Sequence, residues 1–186
     1  MSTSDDLRVQ FTGQVRVLQI IVAAITLGPL TYLGVVFSTA PPDQAAGEVQ
    51  GMFNTFLACG MAAAAVVAWL VVPPLVTTKF RRQIAAGAWP PLEQTGNPLA
   101  APLNDAGKLS AVYHVRTIIA VAILEGATFF LVFTYQQQRD TLALGFAVLL
   151  MLMIALHFPT RARVADWVER QLVRLSDDRD AEQFRR

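Results

Sequence analysis

The sequence predicts an all-α membrane protein with four transmembrane helices and a carboxyl-terminal amphipathic helix at the membrane surface. Its 186 residues are 54% hydrophobic and only 16% charged, against roughly a quarter charged in an ordinary soluble domain. Four stretches, about residues 17–37, 53–76, 117–135 and 141–158, reach the length of roughly 17 to 25 residues that a helix needs to cross hydrocarbon. These runs are apolar on every face and do not alternate as barrel strands do, so closed helices are the remaining way to satisfy their backbone groups.

Basic residues set the expected orientation. Fourteen of the fifteen Lys and Arg fall in the amino-terminal segment, the loop between the second and third spans, or the tail, and only Arg139 falls on the opposite side. The positive-inside rule places that basic side in the cytoplasm, with both termini there. The expected location is a bacterial-type inner membrane. The net charge of +1 gives no reason to expect nucleic acid, since Asp177, Asp178, Asp180 and Glu182 interleave with the arginines of the tail.

The first span begins after a mixed-charge segment and ends at Ser38, Thr39 and Ala40 before Pro41 and Pro42. It is too long for a convincing signal peptide and is read as part of the mature protein. Gly28 and Pro29 lie near its middle, where proline withdraws the amide that the Ile25 carbonyl would accept. A short outer connector, from about Ser38 to Met52, leads to the second span. There Gly60, Ala64 and Ala68 recur every fourth residue and form a flat stripe for helix packing.

Pro73 and Pro74 are expected to bend or end the second helix near the inner surface, with Trp69 one turn earlier in the interfacial belt. The inner loop, residues 77–107, carries Pro90, Pro91, Pro98 and Pro102 and cannot be one helix. From about Lys108 a helical pattern runs into the third span, and a tight outer turn, Gln136 to Asp140, joins it to the fourth. Beyond Pro159 an amphipathic helix, residues 160–175, places Val164, Trp167, Val168, Leu172 and Leu175 on one face. Arg161, Arg163, Arg170 and Arg174 occupy the remainder, so Trp167 and these arginines are expected to meet an anionic leaflet. Residues 177–186 form a charged tail.

Chemistry is concentrated at one residue. Glu125 sits in the middle of the third span with no Lys or Arg within a helical turn. An acid at that depth costs roughly 2.5 to 3.5 kcal/mol on insertion scales, so it persists only with compensation. It is expected to rest protonated and to donate a hydrogen bond to the Ile25 carbonyl, to Thr26, or to Thr128 one turn along its own helix. Ala122 and Gly126 leave room for a neighbouring backbone. The carboxyl could carry a proton, hold a monovalent cation, or act as protonated glue between helices.

No catalytic constellation accompanies it. Ser110 and His114 share a helix face but lack a third group to orient them. Cys59 is the one cysteine, and His114 and His157 are two isolated histidines, so neither a disulfide nor a metal cluster is expected. No nucleotide-binding motif follows a strand, and no cofactor is expected.

The second and third spans resemble the rotor-ring c subunit of proton- or sodium-driven ATP synthases. In that resemblance Gly60, Ala64 and Ala68 match the small-residue helix, and the segment Ala122 to Ala127 matches the carboxylate-bearing helix. The resemblance covers two of the four spans and implies that Glu125 is an ion-binding acid; separately, the small-residue stripes lead to the expectation of a homo-oligomer or a larger membrane complex. The run around Arg116, Thr117 and Leu124 to Gly126 is also similar to uncharacterised bacterial four-span proteins, which implies no activity.

Overall fold

A computed structural model of the chain describes residues 12–39, 48–89 and 104–183. All regular structure among them is helical: α1 (Thr12–Ser38), α2 (Glu48–Ala85), α3 (Asp105–Gln138), α4 (Thr141–Leu156) and α5 (Arg161–Gln183). Gly13–Ser38, Thr55–Ala85 and Asp105–Gln138 are long and apolar enough to cross a membrane, and α4 with α5 passes the same test if the pair, bent by 73°, counts as one broken span. Most of the outer connector and the Pro90 to Pro102 stretch lie outside the described residues.

Two prolines do not end the second helix. α2 runs through Pro73 and Pro74 to Ala85, past the point where the sequence suggested a bend or stop. The prolines deny amides to the Trp69 and Leu70 carbonyls. One turn later, the hydroxyls of Thr77 and Thr78 donate back to the carbonyls of Pro73 and Pro74 at 2.9 Å each, which gives the chain further local helical bonds. α1 likewise stays helical through Pro29. α3 is unbroken from its polar start into its apolar half, as its pattern predicts.

The chain divides into two compact units. The apolar unit comprises Gln19–Val72 and Ile118–Phe158; the second comprises Met1–Leu18, Pro73–Thr117 and Pro159–Arg186. α3 is the most enclosed of the spanning candidates, with half of its apolar window buried against 17% for the first two. Val121, Leu124, Leu131 and Val132 of α3, Val22 and Val36 of α1, Ala58 and Ala62 of α2, and Ala147 and Ile154 of α4 are all buried in this unit.

Around that centre the outward side chains are large and apolar, Ile20, Leu27, Phe56, Val67, Leu70 and Leu152 among them, each about 60% exposed or more apart from Leu152 at 58% and Leu70 at 58%. A water-soluble surface scatters such residues singly, whereas here whole helices present them. The apolar helices therefore support a membrane protein.

The other unit has its own core. Val15, Ile84, Leu109 and Val112 pack with Val164, Trp167, Val168 and Leu175 of α5, and Phe80, Tyr113 and Leu172 complete the cluster. The apolar face of α5 is thus committed to the ends of three other helices of the same chain. Arg161, Arg163, Arg170 and Arg174 are exposed. Two ion pairs, Arg81 to Asp178 at 2.7 Å and Arg179 to Asp105 at 2.8 Å, fasten the later turns of α5.

Candidate functional site

The candidate site is the seam between α1 and α3 within the apolar unit. Gly28 makes this seam close: a Cβ built there would lie 3.1 Å from Cζ of Phe129 and 3.5 Å from Oε1 of Glu125. A glycine, lacking that carbon, lets the α1 backbone face the carboxyl and the ring directly. One turn further along α1, the Tyr32 ring lies 5.9 Å from the Phe129 ring, tilted by 34°. The Tyr32 hydroxyl then donates to Oε1 of Gln136 at 2.5 Å, and Phe37 meets Tyr135 at 5.8 Å between centroids. Aromatic contacts and one short hydrogen bond hold the two helices in register beside Glu125.

Glu125 itself is half-buried, with one side on this seam and the other open at the surface of the unit. The two threonines expected to receive its proton donate elsewhere. Thr26 gives its hydroxyl hydrogen to the Val22 carbonyl at 2.7 Å, and Thr128, fully buried, gives its own to the Leu124 carbonyl at 2.7 Å. Their oxygens retain accepting lone pairs, so a protonated carboxyl remains chemically compatible with either. Pro29 is buried, and as a proline it offers no amide to the Ile25 carbonyl.

The small-residue stripe points outward. Gly60 and Ala64 are exposed, Ala68 is half-buried, and a Cβ added at Gly60 or Gly126 would meet nothing within 4 Å. Inside the chain, α2 packs instead through Ala58, Ala62 and Ala65. In the other unit, Trp167 is 7% exposed, stands edge-on to Tyr113 at 5.3 Å and carries the Arg116 guanidinium over its ring at 5.7 Å.

Sequence reasoning missed three polar pairs that join helices of the apolar unit or stabilise its ends. Besides Tyr32 with Gln136, the Thr55 hydroxyl donates to Oδ2 of Asp140 at 2.8 Å while Oδ1 of the same carboxylate caps α4 by accepting from the Leu142 amide at 2.9 Å. The Trp69 indole N–H donates to Nε2 of His157 at 3.2 Å, with the two rings nearly perpendicular. Nδ1 of that imidazole is 2.7 Å from the Met153 carbonyl, so the neutral tautomer with hydrogen on Nδ1 satisfies both contacts. The signal available beforehand was depth, since each pair matches polar residues at similar distances from the ends of apolar runs.

Ser110 donates to Oε1 of Gln14 at 2.7 Å, which directs its hydroxyl away from His114. No group of three metal-ligating side chains occurs among the described residues. Compared with known proteins, the chain matches no protein family, no curated protein and no solved structure.

Proposed function

We propose that this chain is a four-span protein of a bacterial inner membrane in which Glu125 binds a proton or a monovalent cation as part of an oligomeric complex. The observation that supports it best is the half-buried Glu125 carboxyl beside bare backbone at Gly28, in a unit that exposes many large apolar side chains. In lipid such an acid is stable when neutral and becomes reactive toward protons or cations when a polar path or a second subunit reaches its open side. The fourth span of this reading covers residues 141–158, since the sixteen residues of α4 alone rise about 24 Å. The rotor-ring resemblance of the second and third spans assigns Glu125 the same task.

The test is Glu125→Gln in reconstituted vesicles. Loss of proton or sodium flux, together with loss of labelling by a hydrophobic carbodiimide that attacks protonated intramembrane acids, supports ion binding. Flux equal to wild type in the variant removes it.

A second reading has an observation of its own. Gly60 and Ala64 face outward with open space beside Gly60, which favours close approach of another helix and a structural or assembly role with Glu125 as neutral glue. Under that reading Glu125→Gln is tolerated and Gly60→Leu breaks the assembly, as size-exclusion chromatography with light scattering in mild detergent will show.

A further inference from the structure

Four arginines from three helices converge on one cleft in the second unit. Arg81 of α2, Arg116 of α3, and Arg170 and Arg174 of α5 line a cavity of about 260 Å³ together with Trp167 and Gln171, and no described lining residue is acidic. Arg81 is held in place from the side: its Nε donates to Oδ2 of Asp178 at 2.7 Å and its Nη1 to Oε1 of Gln171 at 3.2 Å, with its side chain 15% exposed. Arg116 lies over the Trp167 ring at 5.7 Å. Arg170 and Arg174 are one turn apart on the exposed side of α5, a spacing at which like charges repel.

This arrangement suits an anion. Asp178 pairs with Arg81, and the guanidinium groups share a concavity that would focus positive potential on an anionic ligand. Guanidinium forks match phosphate oxygens in geometry, and two of them here are oriented by side-chain contacts before any ligand arrives. Depth supplies the second constraint. Arg116 directly precedes the apolar run that begins at Thr117, and Arg81 lies five residues past Val76, about 7.5 Å along the axis. Both therefore sit at the level of lipid phosphates if the spans cross a bilayer.

We propose that this cleft is a binding site for a phosphate group, presented by an anionic phospholipid headgroup or as a free phosphate. It is a defined pocket of three helices, separate from a general attraction of the α5 arginines to a charged surface, and it does not depend on Glu125 binding an ion.

The full chain in neutral detergent, analysed by native mass spectrometry, tests this with dioctanoyl phosphatidic acid, dioctanoyl phosphatidylcholine and inorganic phosphate. Wild type is expected to retain phosphatidic acid over phosphatidylcholine. Arg170→Gln combined with Arg174→Gln, both exposed and therefore safe for folding, is expected to lose affinity by roughly tenfold or more per arginine, the usual scale of a charged hydrogen bond. Arg82→Gln with Arg161→Gln removes equal charge from exposed positions off the cleft and is expected to change affinity less than about twofold.

Competition by inorganic phosphate identifies the phosphate group itself as the ligand; phosphatidic acid that resists excess phosphate identifies the lipid headgroup. Arg116→Gln provides a further variant, with helical content checked by circular dichroism, and should weaken binding on the same scale. Equal losses in the two paired variants, or no preference of wild type for phosphatidic acid, overturn the proposal.

Discussion

Replacing Trp167 by alanine probes the packing of α5 most directly. The indole is 7% exposed in a core with Val164, Val168, Leu109 and Val112, and it contacts the Tyr113 ring at 5.3 Å and the Arg116 guanidinium at 5.7 Å. Trp to Ala in a packed site costs roughly 3 to 5 kcal/mol, and the ring–ring contact, of order 0.5 to 1.5 kcal/mol, is contained in that total. The loss comprises the indole's packing and its contact with Arg116. At about 1.4 kcal/mol per tenfold change, detachment of α5 becomes roughly two to three and a half orders of magnitude more frequent. Amide exchange in lipid nanodiscs, read on peptides covering Val164 to Leu175, measures that opening. If α5 exchanged at the same rate in Trp167→Ala as in wild type, the helix would not be held by this face, and the core assigned to the second unit would be wrong.

Other perturbations read separate contacts. Asp140→Ala removes both the cap of α4 and the acceptor for Thr55 and is expected to destabilise by about 2 kcal/mol, a cap of ~1 plus a hydrogen bond of ~1. Thermal unfolding in detergent should show Thr55→Val costing about half as much, with a non-zero coupling in the double mutant. Gly28→Leu forces bulk against Phe129 and Glu125 and is expected to cost about 1 to 3 kcal/mol by overpacking, visible as a lower melting temperature. Asp105→Asn breaks an ion pair whose side chains are 41% and 30% exposed and should change stability by less than about 1 kcal/mol in the same assay. His157→Phe keeps the ring contact with Trp69 but leaves the indole N–H without its acceptor, a loss of about 1 to 3 kcal/mol that indole fluorescence during unfolding would report.

The residues alone determined the helical class, the apolar lengths of the spans and the isolation of Glu125, because hydropathy and the cost of an acid in hydrocarbon act at the scale of single segments. They also carried the amphipathic character of α5, since a three- and four-residue spacing is a local property. Tertiary structure decided what each face meets. Val164, Trp167 and Val168 could have faced lipid or protein with the same periodicity, and the ends of α1, α2 and α3 supply the apolar surface that they cover. The stripe of Gly60, Ala64 and Ala68 and that of Ala58, Ala62 and Ala65 are both made of small residues, and only packing selects the second for the interior. Helix continuation through Pro73 and Pro74 likewise goes beyond what a single-residue proline rule reads from the sequence. The convergence of Arg81, Arg116, Arg170 and Arg174 brings together residues up to 93 positions apart, and spacing along a chain holds no information about proximity across helices that the fold alone brings side by side.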